Sequence, residues 1–589
     1  MGKMVASVVL FLSDKDMIHP MSGFLLLIAL FMVFAACSKS KTETTTSVAF
    51  PEIDAGAVMR HTQILSSDEY EGRAPGTKGE DLTVAYIIDQ FEQAELEPGN
   101  TDGSYVQKIP MVGITVDPGA NLAIRKGKKN LLLKFKDDFV PSTKQVNDKV
   151  EVKDAELIFV GYGIQAPEYS WDDYKAIDLK GKIMVTLIGD PPIPDPIDQK
   201  MLDPNMFKGP EMTYYGRWTY KCEMAAKMGA AGVIIVHETK PAAYPFSVVQ
   251  SSWIKEQLGL ISSDTNAQHA PLDSWISLDS AERLCKFAGK DFKTIKASAL
   301  DRAFKPVPLG VTASVTMKNQ IRTIESRNVI GKLTGSGSKL KNEYVVYTAH
   351  WDHLGVVHDV KGDKIYHGAK DNATGVAGLI EIAKAYSRLT KPPRRSILFI
   401  SVTGEEGGLL GSEYYATHPI YPLSKLLAVI NMDSMNVYGK TKDITITGLG
   451  MSDLDDIAER VAAEQGRVVR PDPFPEKGSY FRSDHFPFAK EGVPALDSGS
   501  GIEYVGKPVD FGTQTLEGYR AENYHQPSDV VRPDWDLSGA VQDLQYYWMV
   551  GYRVAQADRI PQWKPGAEFK AKRDAYLNKV HRQGAERTK

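Results

Sequence analysis

Three stretches in the second half of the chain are continuously apolar: Tyr344–Ala349, Ser396–Val402 and Leu426–Ile430. Runs of this length without polar alternation predict strands covered by helices on both faces. Between the first two, Val376, Leu379, Ile380, Ala383, Tyr386 and Leu389 recur at helical spacing, which predicts a helix over Val376–Leu389. Alternation of strand, helix and strand predicts an α/β sandwich. From about Phe50 to Asn100 the pattern is helical, with one stripe through Ala57, Ile64 and Leu65 and another through Leu82, Tyr86, Ile87, Phe91 and Leu96. The polar, turn-rich segment Ser66–Glu80 separates these stripes. Short alternating runs from Tyr105 to about Val140 predict further strands. A second unit begins near Val150, where Leu157–Val160, Ile183–Ile188 and Gly232–Val236 read as buried strands and Lys221–Met228 as a helix. It ends near Lys305–Pro308 and holds no clustering of His with acids at ligand spacing, so it reads as non-catalytic.

The N-terminal run Gly23–Ala36 is apolar throughout. It has the length of a signal-peptide core and falls short of the roughly 20 residues that span a bilayer. It ends in Phe34-Ala35-Ala36-Cys37, followed by the polar residues Ser38–Lys41. Small residues before a lone cysteine resemble the bacterial lipobox, in which cleavage precedes a cysteine that is then lipidated. The expectation is an exported lipoprotein of the periplasm or cell envelope, with the outer membrane favoured, held to the membrane through Cys37. The polar run from Ser38 to Val48 then acts as a flexible tether.

At 589 residues the chain is too long for one core and predicts two to four domains. The net charge of −4 gives no support to a nucleic-acid partner. Three cysteines are too few for a disulfide scaffold or a thiolate metal site. A metal site in this chain has to use His and carboxylates.

Such residues stand at the ends of the predicted strands. The first strand runs into His350-Trp-Asp352, the second into Thr403-Gly-Glu405-Glu406 and the third into Asn431-Met-Asp433. Asp371 stands just before the predicted helix. In open α/β sheets, sites form outside the carboxyl ends of the strands. Unpaired carboxylates are costly there, so acids and a His converging on one crevice call for a cation. Oxygen and imidazole ligands without thiolate suit Zn²⁺, with Mn²⁺ or Co²⁺ as lesser choices. A further ligand comes from a later segment, where His525 ranks first and His485 second; His353, His358 and His367 lie in more hydrophilic, turn-like surroundings.

The order His-x-Asp, Asp-Asn-Ala-x-Gly, Gly-Glu-Glu-x-Gly-Leu-x-Gly-Ser, Asn-Met-Asp and Tyr-His-x-x-x-Asp closely resembles the M28 family of zinc aminopeptidases and carboxypeptidases. Leu65–Arg73, Ser483–Phe488 and Gly492–Pro494 extend the resemblance. It implies an α/β/α sandwich zinc-exopeptidase domain with a mixed central sheet and an inserted β-rich protease-associated (PA) domain. The implied division is a signal peptide with lipobox over 1–37, a tether over 38–49, peptidase parts at 50–140 and 309–560, the PA insert at 141–308 and a polar tail at 561–589. The resemblance also implies two Zn²⁺, with Asp371 bridging, His350 and Asp433 completing one site and Glu406 and His525 the other. Glu405 would be the general base, Asp352 would orient His350 through its second ring nitrogen, and Tyr524 would donate to the developing oxyanion. A cis peptide after Asp371 is implied as well. Peptides are the implied substrates and an aminopeptidase is favoured, with a carboxypeptidase or dipeptidase, or a non-catalytic binding relative, as alternatives. Arg482 and Arg520 are the basic residues that a carboxypeptidase would use.

Overall fold

The computed structural model describes residues 48–357 and 362–587, so the apolar leader, Cys37 and His358 lie outside the described residues. Helix α1 (Ala55–Leu65) starts at Asp54, whose carboxylate accepts the Gly56 N–H. It buries Ala57, Val58 and Leu65, whereas Ile64, on the expected stripe, is 40% exposed. Helix α2 (Lys78–Gln93) buries Val84, Ile87 and Phe91. Strand β1 (Val106–Val116) then enters the central sheet.

The chain next builds a second sheet. Its strands are β2 (Leu122–Lys126), β3 (Lys129–Leu133), β4 (Phe139–Ser142), β5 (Lys149–Phe159), β6 (Ile183–Leu187) and β7 (Gly232–Val236). Helix α3 (Trp218–Lys227) precedes β7. Strand β8 (Gln257–Leu260) returns to the central sheet to pair with β1. Strand β9 (Leu272–Ile276) rejoins the second sheet, where β5, β6, β7 and β9 run parallel and β4 closes against β9. The 27-residue strand β10 (Val307–Leu333) belongs to both sheets. Its first half pairs with β5 and β2, and its second half with β1. The second sheet therefore takes in β2–β4 and runs to Lys318, across both positions expected for the insert boundaries. Short alternating strands look alike in sequence whichever sheet they join, so the pattern could not assign them.

The second half of β10 leads to β11 (Tyr344–His350), β12 (Ser396–Val402), β13 (Leu426–Asn431), β14 (Asp443–Thr447), β15 (Val468–Pro471) and β16 (Ala495–Ser500). The central sheet runs β8-β1-β10-β12-β11-β13-β16-β14-β15. Strands β12, β11, β13 and β16 are parallel, and β10 and β14 flank them antiparallel. This is the mixed sheet that the family resemblance implies, and the three apolar runs are its central strands.

Helix α4 (Thr374–Ser387) is followed by α5 (Leu410–Thr417), α6 (His485–Lys490), α7 (Phe511–Glu522), α8 (Ser538–Gln556) and α9 (Lys570–Arg587). Alternate residues of the central strands face different helices. Tyr347 and Phe399 stack on each other and meet Tyr386 of α4, while Tyr347 Oη also reaches the Tyr547 carbonyl of α8. Val346, Leu398, Ile400 and Val429 share a core with Tyr415 of α5 and Phe488 of α6. The residues after 560, expected as a polar tail, bury Trp563 and Phe569 and continue into α9. Arg573 anchors that helix by donating to the carbonyls of Leu423 and Leu426 at 2.8 and 2.9 Å. So few apolar residues give no periodic stripe to read in advance.

On α8, Gly551 stands directly over the Tyr347 hydroxyl, with no room for a Cβ. Gly551→Val is expected to destabilise the fold by about 1–3 kcal/mol through overpacking, read as a lower urea midpoint with unchanged slope.

Candidate metal centre

Strands β11, β12 and β13 end in register: His350 lies opposite Val402, and Thr348 opposite Asn431. Their exits deliver His350, the Glu405-Glu406 pair and Asp433 to one edge of the sheet. Asp371 arrives from the turn that opens α4, and its peptide bond to Asn372 is cis. His350 Nε2 lies 3.3 Å from Asp371 Oδ1 and 3.5 Å from Asp433 Oδ1. His525 Nε2 lies 3.3 Å from Asp371 Oδ2 and 3.0 Å from Glu406 Oε2. Asp371 thus turns one oxygen to each imidazole. All five residues expected as ligands meet in this crevice.

The loops are fixed by hydrogen bonds from residues around them. The Asp529 carboxylate accepts the N–H groups of Lys370 and Asp371 and the Tyr519 hydroxyl, and its carbonyl accepts the Ala369 N–H. Asn372 donates to the Met432 carbonyl, and its side-chain oxygen accepts from Ser434 and Gly375, tying the Asp371 turn to the Asp433 loop. Arg73, 1% exposed, donates to the carbonyls of Leu65, Trp351, His367 and Gly368. It clamps the β11 exit to the Asp371 turn. His350 is held differently from the expectation. Its Nδ1 lies 3.1 Å from the main-chain oxygen of Asp352, and the Asp352 carboxylate is 3.9 Å away. That carboxylate accepts the N–H groups of Glu405 and Glu406 at 3.1 and 3.3 Å instead.

Residues 328–549, from β10 to α8, match Peptidase family M28. This part of the chain is an M28 peptidase domain. The chain is 30% identical over 169 residues to "Aminopeptidase NAALADL1" of Mus musculus, covering 26% of this chain and 21% of that protein. It is 26% identical over 254 residues to "Probable glutamate carboxypeptidase" of Arthroderma benhamiae, covering 38% and 34%. The matches thus span about a fifth to a third of these relatives' length. Among solved structures, "Aminopeptidase from Aneurinibacillus sp. strain AM-1" aligns with a TM-score of 0.47 and 20% identity, over 86% of this chain and 95% of that one.

Within the M28 domain, the crowding of acids governs the electrostatics. Burial opposes charging His525, but Glu406 and Asp371 outweigh it and lift its pKa to about 10. His350 is raised in the same way, with Glu405, Asp371 and Asp433 overcoming burial. Burial raises Asp352 to about 7, and it pushes Glu405 well up with help from Glu406, Asp433 and Asp484. Glu406 goes the other way, to about 2, because His525 and His353 overcome its burial. His350 Nε2 and His525 Nε2 are buried and make no hydrogen bond, although carboxylate oxygens stand within 3.5 Å. Imidazole nitrogens facing carboxylates in this manner fit shared cations.

Tyr524 stacks on the His525 ring with centroids 3.8 Å apart and is 38% exposed. Burial and the nearby acids Asp371 and Glu406 raise its phenol well above the usual value, so it stays a donor. His485, the second-ranked imidazole, is buried 3.8 Å from Asp497 and edge-on to Tyr480, away from the ligand cluster. Two residues were missed. Ser483 donates to Asp433 Oδ2 at 2.8 Å and receives Asn431 Nδ2 at 2.7 Å. His353, read as turn-like, is 1% exposed and lies 2.6 Å from Glu406. The His-x-x-His spacing at His350 and His353 was its only signal in the sequence.

Asp529→Ala removes the acceptor of two buried N–H groups. The expected cost is about 1–3 kcal/mol, measured by urea unfolding of chelator-treated protein.

Proposed function

We propose that the chain is a two-zinc exopeptidase, and within that class an aminopeptidase. The observation that carries the reading is Asp371, whose two oxygens face His350 and His525 separately. His350 and Asp433 would hold one Zn²⁺, Glu406 and His525 the other, with Asp371 shared. When bound, the pair supplies Lewis acidity toward water and the peptide carbonyl. Glu405 adjoins a ligand and is not needed as one, so its carboxylate takes the proton of the attacking water and returns it to the leaving amine. Tyr524 donates its hydroxyl to the developing oxyanion. Asp352 acts on both sides of the site, through its carbonyl on His350 and its carboxylate on the Glu405-Glu406 backbone.

The residues between Val116 and Asn319 are read as the PA-type insert that shapes the mouth. Leu258, on β8, packs against Gly407, one residue past Glu406. Among the described residues no helix is long and apolar enough to cross a membrane; the reading places the enzyme at the cell envelope through Cys37. A carboxypeptidase is the second reading, favoured by Arg482, which is exposed and whose charge is felt at Tyr524.

Glu405→Ala is expected to lower turnover about 10²–10⁴-fold on a dipeptide and aminoacyl-amide panel, with zinc content unchanged by elemental analysis. Retained turnover removes Glu405 from its role. Cleavage only of substrates with a free carboxyl terminus, lost in Arg482→Ala, favours the second reading.

Metal loading carries a pH signature. Both imidazole pKa values are raised, so in the ion-free protein His350 and His525 hold protons at pH 7. Ligation needs their lone pairs, so loading releases about two protons per chain from these rings, and apparent affinity rises with pH from 7 toward 10. Calorimetric zinc titration in buffers of different ionisation enthalpy measures both.

A further inference from the structure

We propose that His353 is a positioning residue for Glu406: it binds one carboxylate oxygen so that the other alone is turned to the cation position shared with Asp371 and His525. The proposal deepens the two-zinc reading and rests on it. His353 Nδ1 lies 2.6 Å from Glu406 Oε1, and His525 Nε2 lies 3.0 Å from Oε2. The two oxygens of Glu406 therefore serve different imidazoles. A carboxylate with one oxygen held by an N–H cannot swing to offer both oxygens to a metal, so its ligation is single and directed.

The ring of His353 is itself fixed. Gly368 packs close against it, and a Cβ there would fall 2.5 Å from Cγ and 2.6 Å from Cδ2. Gly368 holds φ at +55°, and its carbonyl takes an N–H of Arg73. On another side the ring meets His525 edge-on, centroids 5.7 Å apart. The backbone N–H of His353 donates to the Arg73 carbonyl. Glycine, arginine and a second imidazole thus lock the donor in place.

A rival assignment makes His353 a metal ligand, since its ring lies within 4.8 Å of oxygens of Asp371 and Glu406. The 2.6 Å separation is a charge-assisted hydrogen-bond distance and occupies the outward direction of Nδ1, so a ligand role would fall to the buried Nε2, which makes no hydrogen bond. The loop from His350 to His353 then supplies one imidazole to each half of the site, in two different ways.

The test compares wild type, His353→Asn and His353→Ala. Asparagine brings an amide N–H to the position of Nδ1; alanine brings none. Zinc binding is followed by competition with a chromophoric chelator, and bound metal is counted by elemental analysis. Two equivalents are expected in wild type, and one of them should weaken about 10–100-fold in His353→Ala and recover in His353→Asn. Unchanged affinity in His353→Ala overturns the proposal. Loss in His353→Asn as deep as in His353→Ala also overturns it, and makes the ring a ligand. Fewer than two equivalents in wild type sinks the two-zinc reading instead. His353 is then judged in chelator-treated protein from the Tm losses of His353→Ala, Glu406→Ala and the double variant. Losses that combine less than additively support the contact, and additive losses overturn it.

Discussion

Negative charge packed into a half-dry crevice is the constraint on which this molecule turns. Glu406 and Asp484 act there on Asp352; Glu406, Asp433 and Asp484 on Glu405; Asp371 on Glu406; and Asp433 on Asp484. In the ion-free protein the compensation comes from protons, on His350 and His525 above all. Cations and protons compete for the same place, which makes the site one that fills by exchange.

The framework keeps the charges apart by spending backbone groups on them. Asp352 collects two N–H groups, Asp529 collects N–H groups of the Asp371 turn, and Arg73 gathers four carbonyls. Arg73 has no carboxylate partner among these contacts, so its charge remains available to the crevice as a whole; Asp352, Asp529, Asp371 and Glu406 all act on it. One buried cation thereby joins the N-terminal turn, the β11 exit and the Asp371 turn into a single unit.

The central strands were legible because burial on both faces leaves unbroken apolar runs, and the residues at their ends followed from that. His350, Asp371, Glu405, Glu406 and Asp433 were found in this way. His525 needed a resemblance, since a loop histidine far along the chain has no local pattern to mark it. His353 looked polar and exposed because its neighbours in sequence are; what buries it is Gly368 and Glu406, which lie elsewhere in the chain. The role of Asp352 was half legible: its nearness to His350 follows from spacing, but which of its oxygens does the holding depends on the turn after β12. Where the second sheet begins was not legible, because β2–β4 alternate as any strand does and only pairing assigns them.

Strand β10 has a consequence for the handling of the fold. Val116 at the end of β1 sits opposite Asn319 in β10, and Asp117 donates to the carbonyl of Lys318. Topologically this is a hairpin whose connection holds β2–β7 and β9 of the second sheet together with β8. The two ends of this segment leave the central sheet at strand spacing, and β8 within it returns to pair with β1. A short turn joining Val116 to Asn319 would keep the β1–β10 pairing and leave β1 as the edge of the central sheet, without β8.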